Sequence, residues 1–213
     1  MRGVRQLIKQ IWLNKEQYKI LFKQFANMAR INIIDYKDAA GTLKSTYDEL
    51  IEKRGKLSQV LMVQSLHPAS MVSHINFYTD IMFSKTALPR AEKELIAVVV
   101  SAANGCTYCQ THHGAALQAY WKDAERIALL KKDYRTASLS PKEVAMCDFA
   151  VHLTKNPAAH EATDYTSALK EAGLSDEAIL DVALVTSYFN FVNRMVMALG
   201  VELEEHKGEG YKY

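Results

Sequence analysis

Three observations predict an all-α fold. Apolar residues recur at the helical period through nearly every segment, and strand-type alternation is scarce. Stop and start signals follow one another at helix-length intervals: Arg54-Gly55-Lys56, His67-Pro68, Asn104-Gly105, Ser140-Pro141, Asn156-Pro157, Gly173 and Gly200. No Pro/Gly/Ser linker or low-complexity tract divides the chain. At 213 residues and 49% hydrophobic, it is long enough for one well-filled core with an appended segment.

The elements follow in order. From Val4, the residues Leu7, Ile8, Ile11, Trp12, Tyr18, Leu21, Phe22 and Phe25 make an apolar stripe with lysines opposite. We read residues 1–30 as a basic amphipathic helical extension that docks on the body or on a neighbouring subunit. A membrane-surface helix or a targeting peptide is the alternative, and Met28 is a second candidate start. Asn32 to Asp38 is a short lead-in. Asp38 to Glu52 reads as a helix, Leu57 to Leu66 as a short one closed by His67-Pro68, and Pro68 opens the next, through Phe83. Pro89 starts a long helix whose Glu92 and Glu94 favour its positive end. Asn104-Gly105 stops it, because both residues tolerate a left-handed backbone. The cysteines then open a fresh helix to about Trp121. Asp123 to Leu130 continues as a short helix. Ser140 caps another at Pro141, which runs to Lys155. His160 to Ala172 forms one more, and Ser175 caps a last long helix from Glu177 to about Leu199. The similar starts at Leu88-Pro89-Arg90-Ala91-Glu92 and Leu139-Ser140-Pro141-Lys142-Glu143 hint at duplication.

Charge and cysteine usage exclude several classes. A net charge of +2, from 26 basic and 24 acidic residues, gives no case for nucleic acid. The balance is uneven: seven basic residues and one acidic residue give residues 1–30 a charge of +6 and the rest −4. Three cysteines are too few for a secreted disulfide scaffold, so a reducing cytoplasm is expected. No apolar run approaches the ~18 residues of a membrane span, and a membrane role is disfavoured.

The chemistry gathers between Ala91 and His113. Two residues separate Cys106 from Cys109, a spacing suited to a disulfide ring or to metal binding. His113 follows Cys109 by one helical turn; on a helix Cys106, Cys109 and His113 share a sector of about 60°. A helix start favours thiolate, His113 can take the Cys109 proton, and Glu94 can join a relay if the Asn104-Gly105 bend pairs the two helices. Thiolate attack on a hydroperoxide gives a sulfenic acid that a neighbouring thiol condenses to a disulfide.

Glu94, Cys106, Cys109 and His113, with their flanks Arg90-Ala91-Glu92, Ala103-Asn104-Gly105 and His112-His113-Gly114-Ala115-Ala116-Leu117, resemble the alkylhydroperoxidase D-like (AhpD-like) proteins. Those belong to the carboxymuconolactone decarboxylase superfamily, and the flanks look like its peroxidase-related branch. The likeness covers about residues 31–204, leaving a charged tail at 205–213. It implies a single AhpD-like helical body and a thiol-dependent peroxidase for hydrogen peroxide or organic hydroperoxides. Cys109 then matches the attacking cysteine, Cys106 the resolving one, and Glu94 and His113 the proton relay. It also implies a small hydroperoxide substrate, an external dithiol reductant, no cofactor, and a homo-oligomer (trimer or hexamer). Tyr108 departs from members that carry a histidine at that position.

Other readings stay open at this point. The same cluster suits a non-enzymatic redox or metal-binding module, although structural zinc usually draws two compact ligand pairs. The decarboxylase chemistry does not need a vicinal cysteine pair. Tyr108, His112, Tyr188, Asn190, Asn193 and Arg194 are candidate cavity-wall residues; for the last four a subunit-interface network is the rival. Cys147 reads as a buried small hydrophobe. His67 and His74 read as turn and helix-face residues, and His152, His160 and His206 as surface residues.

Overall fold

A computed structural model describes residues 29–204, and each of the seven stop or start signals bounds a helix in it. Nine α-helices are present among the described residues: α1 (Gly41–Arg54), α2 (Gln59–Met62), α3 (Pro68–Phe83), α4 (Arg90–Asn104), α5 (Thr107–Trp121), α6 (Ala124–Lys132), α7 (Pro141–Lys155), α8 (Thr166–Glu171) and α9 (Asp176–Leu199). Short 3-10 turns stand at Tyr36–Asp38, Tyr134–Thr136 and Pro157–Glu161, and no strand occurs among these residues. The apolar stripe of the N-terminal segment, and His206 with the tail, lie outside the described residues.

The helix ends have local causes. Ser140 accepts the Glu143 N–H while the Glu143 carboxylate accepts the Ser140 N–H, a reciprocal cap at the start of α7. Ser175 caps α9 through the Ala178 N–H, and Asp123 caps α6 through the Arg126 N–H. Gly55, Gly105 and Gly200 stop α1, α4 and α9 in the left-handed conformation.

Three expected elements differ. The first helix starts at Gly41, not Asp38, because Asp38 belongs to a 3-10 turn and Ala40 is extended. The segment expected as one helix over Leu57–Leu66 is helical only over Gln59–Met62. Beyond it the bonds tighten to three-residue spacing (Gln64 N–H to Leu61 O, Ser65 N–H to Met62 O), and Ser65 Oγ accepts the Ile34 N–H at 2.8 Å. The expected His160–Ala172 helix is split. The Asp164 carboxylate takes the Thr166 N–H at 2.8 Å and the Thr166 hydroxyl at 2.6 Å, which ends one turn and restarts the chain as α8. His152 and His160 are half-buried rather than on the surface; their rings meet at 3.1 Å (Nδ1 to Nε2) and both stack on Tyr165.

α4 is the central element. Every residue from Lys93 to Ser101 is buried, against α5, α6, α7 and α9. One apolar cluster joins α4, α5, α7 and α9 and includes Ile96, Val100, Cys109, Phe189 and Val192; a second, with Leu95, Val98, Leu117 and Cys147, lies between α4 and α6. A third, with Leu43, Tyr47 and Met71, holds α1, α2 and α3 together. The two similar helix starts are tied directly, since Lys142 Nζ donates to both Glu92 oxygens at 2.9 Å. α9 corrects the expectation that no segment reaches membrane-span length: at 24 residues it is the one described helix long and apolar enough to cross a membrane. Its packing is that of a core helix. Val182, Val185, Phe189 and Val196 face the interior with the buried polar groups Asp181 and Asn193.

Candidate active site

The bend between α4 and α5 builds the site. Gly105, at φ +74°, closes α4, with the Cys106 N–H returning to Ser101 O at 2.9 Å. The next residue, Cys106, is the N-cap of α5, its Sγ accepting the Cys109 N–H at 3.4 Å. α5 therefore folds back along α4, and His113 meets Glu94. The His113 Nδ1 donates to Glu94 Oε2 at 2.7 Å.

Glu94 is fully buried and has a second partner that sequence reasoning did not assign a role. Arg90, one turn earlier on α4, donates Nε at 2.8 Å and Nη2 at 2.5 Å to Glu94 Oε1. Burial opposes ionisation of Glu94, but His113 and then Arg90 outweigh it and hold the carboxyl below its usual range. Arg90 balances the carboxylate charge, so the other oxygen is free to fix the His113 tautomer. With Nδ1–H given to Glu94, His113 Nε2 keeps its lone pair. The clue in the sequence was the four-residue spacing of Arg90 and Glu94 on one helix face.

The two thiols are both buried and free, and they differ. Cys106 is the more acidic. The Cys109 side chain hydrogen-bonds to its sulfur, and the Cys109 N–H adds to this, against an opposing burial effect. Cys109 is pushed up by the same contact with Cys106, then by burial and by the Cys106 charge; Asn193 acts in the opposite direction. Access falls the other way. A cavity of about 80 Å³ is lined by Cys109, His113, His112, Tyr108, His74 and Tyr188 among others, and Cys106 is not in its wall. Acidity and access thus sit on different sulfurs.

Of the candidate wall residues, Tyr108, His112 and Tyr188 line the cavity. The first two are anchored by Glu204, whose Oε1 accepts the Tyr108 hydroxyl at 2.7 Å and the Gln59 N–H at 2.8 Å while Oε2 meets His112 Nε2 at 2.7 Å. Burial opposes the Glu204 charge, but these contacts, His112 first, bring its carboxyl down to about 2. Asn190, Asn193 and Arg194 are not in the wall, which corrects that expectation. They form a network within the chain behind the bend: Asn104 Nδ2 donates to the Oδ1 atoms of Asn190 and Asn193 at 3.0 Å each. Asn193 Nδ2 donates to Ser101 Oγ at 3.2 Å, and Arg194 to Asn190 Oδ1 at 2.5 Å. Their side chains lock the bend to α9, and Asn193 also bears on Cys109 from behind.

His74 and Tyr188 enter the site from α3 and α9. The His74 ring is buried, and its Nε2 lies 2.7 Å from the Tyr188 hydroxyl. Burial lowers the His74 pKa to about 4, so it is neutral near pH 7. Its four-residue spacing from Tyr78 on α3 was the available signal. Cys147 is wholly buried, and burial pushes its thiol up, as expected for a small hydrophobe. The Glu94 oxygens turn to Arg90 and His113, and among the described residues no group of three or more His, Cys, Asp or Glu side chains is arranged to hold a metal ion.

The carboxymuconolactone decarboxylase family model matches residues 71–150, from α3 to α7, which spans all four of these Cys, His and Glu residues. The uncharacterized protein YdfG of Bacillus subtilis (strain 168) is 26% identical over 116 residues, covering 54% of this chain and 78% of that protein. An uncharacterized peroxidase-related protein from Ralstonia eutropha JMP134, with an alkylhydroperoxidase AhpD core, superposes at a TM-score of 0.75 and 28% identity, over 87% of this chain and 98% of its own. A second peroxidase-related protein, from Silicibacter sp. TM1040, gives 0.76 and 27% over 86% and 96%. The cysteine helices lie inside the matched carboxymuconolactone decarboxylase family model, and the described body is similar in fold to these AhpD-core, peroxidase-related structures.

Proposed function

We propose that the chain is a thiol-dependent peroxidase that reduces hydrogen peroxide or small organic hydroperoxides through Cys109 and Cys106. One observation carries the reading: His113, fixed by a buried and charge-balanced Glu94, lines the same small cavity as Cys109. A cavity of about 80 Å³ suits a small hydroperoxide, since drug-sized ligands occupy ~300 Å³ or more.

In this reading His113 Nε2 takes the Cys109 proton. The thiolate attacks the terminal oxygen of the hydroperoxide; the S–O bond forms as the O–O bond breaks, and sulfur is oxidised by two electrons. The departing alkoxide takes the proton back from His113 and leaves as alcohol. Cys106 then attacks the sulfenic sulfur, the disulfide forms and water is lost. An external dithiol returns the pair to thiols by exchange. A cytoplasmic setting, which supplies such reductants, belongs to the same proposal. So does assembly as a trimer or hexamer, supported by Leu180, Phe191 and Met197 exposed along α9.

The test is thiol titration and peptide mass spectrometry under limiting hydrogen peroxide. One equivalent should remove two thiols and join Cys106 to Cys109. Cys106→Ser should accumulate a trappable sulfenic acid, and Cys109→Ser should not. Equal trapping in both variants overturns the roles. Tightly held zinc with unreactive thiols overturns the peroxidase in favour of a metal-binding module.

A further inference from the structure

The cavity has a second set of polar lining groups, His74 and Tyr188, and their hydrogen bonds can be oriented from one fixed end. That end is the Val60 carbonyl, which can only accept. It receives Gln64 Nε2 at 2.8 Å, so the amide nitrogen of Gln64 is the atom on that side. The same nitrogen lies 2.8 Å from His74 Nδ1, whereas Gln64 Oε1 is further away at 3.2 Å. His74 Nδ1 is therefore the acceptor. A neutral imidazole carries one N–H, and His74 is neutral, so its proton is on Nε2. Nε2–H donates to the Tyr188 oxygen across 2.7 Å. The Tyr188 proton is then not used on His74 and is available to the cavity, which Tyr188 lines together with Cys109. The opposite polarity would turn the Tyr188 proton onto His74 and leave the cavity without that donor. The Gln64 amide selects between the two.

We propose that Tyr188 is the donor that binds the departing oxygen of the hydroperoxide at Cys109, with Gln64 and His74 as positioning residues that turn its hydroxyl into the cavity. The inference rests on the peroxidase reading above. As the Cys109 sulfur bonds to the terminal oxygen, negative charge grows on the other oxygen of the breaking O–O bond. A hydroxyl preset to donate there stabilises that charge without moving. The Tyr188 proton stays on its oxygen; the proton that completes the alcohol is the one His113 took from Cys109. Burial, first of all, holds the Tyr188 phenol well above its usual range, with the nearby Tyr78 and Cys109 adding to it, so Tyr188 acts as a neutral donor.

The experiment compares full-length wild type with Tyr188→Phe, which keeps the ring packed against Phe77 and Phe189 and removes only the hydroxyl. The readouts are the rates of Cys109 oxidation by ethyl hydroperoxide and by peracetic acid, and the rate of its alkylation by iodoacetamide. Oxidation by ethyl hydroperoxide should fall about 100-fold, the usual cost of one such donor. Peracetic acid releases acetate, which needs little help, so its loss should be at least about tenfold smaller. Alkylation should stay within about twofold, because it reports the thiolate and not the O–O bond. Gln64→Met, which releases the His74 tautomer but leaves the hydroxyl in place, should show the same leaving-group dependence at smaller size. It keeps the test decisive if Tyr188→Phe does not fold. Equal losses for the two peroxides, or no loss, overturn the role of Tyr188 alone. A wild type whose thiols ignore both peroxides overturns this inference together with the peroxidase reading.

Discussion

Glu94 shows how much one residue's setting decides. Its type and spacing were legible in the sequence, because a carboxylate in an apolar helix face needs a partner and His113 was within reach of a bend. What could not be read was the charge balance. Arg90 holds one oxygen, and this separates the carboxylate's cost of burial from its action on His113. Glu94→Gln therefore carries two expected losses. The folded chain should lose about 3 kcal/mol, since Arg90 stays half-buried without its charge partner. Cys109 oxidation should slow by about 10- to 100-fold, because Arg90 takes the one remaining amide oxygen and a donor NH2 is left facing His113 Nδ1, which upsets its tautomer. Chemical denaturation and stopped-flow oxidation measure the two separately, and an unchanged unfolding midpoint would rule out the buried ion pair as described. Glu204 was illegible as a site-bearing residue. Its partners Tyr108 and His112 lie 96 and 92 residues away, and only the tertiary fold brings them together.

Among the elements, those with strong punctuation were readable and those set by competition were not. α4, α7 and α9 have proline, serine or glycine at their ends, and these residues act through local geometry that sequence carries. α2 and α8 depend on side chains that bond to the backbone at close range, Ser65 to Ile34 and Asp164 to Thr166, which helical periodicity does not register. The α4–α5 bend offers the sharpest element-scale test. An added Cβ at Gly105 would meet nothing within 4 Å, so Gly105→Ala is penalised only by its left-handed backbone. Calorimetry should show about 1 kcal/mol lost and a melting temperature lower by about 2–4 °C. Gly105→Asn should be milder, because asparagine tolerates that conformation. Equal melting for all three chains would mean the bend is not strained by side chains at all.

The molecule as a whole should be acid-labile in two stages. Below pH 6.5 the unfolded chain protonates His74, while the folded chain resists until about pH 4, so stability falls with falling pH across that window, by on the order of 3 kcal/mol. Glu204 is depressed from 4.5 to about 2, so its contribution is full above pH 4.5 and is lost as pH drops through that lower range. Guanidinium unfolding at pH 7, 5 and 3 would resolve the stages. His74→Asn should flatten the upper one, and a slope identical to wild type would refute its assignment. The all-α architecture was readable because period and punctuation agree along the described chain; the small cavity was not, since five separated elements close it.

The burial of the sulfur pair has a further consequence for how the cycle would reset. Only the Cys109 side of an oxidised pair faces open space, so an incoming thiolate must strike there and form a mixed disulfide with Cys109. Cys106 is then the leaving group, and its hydrogen-bonded, more acidic sulfur departs the more readily for it. The fold would thus give the two cysteines opposite talents: one is reached, the other lets go.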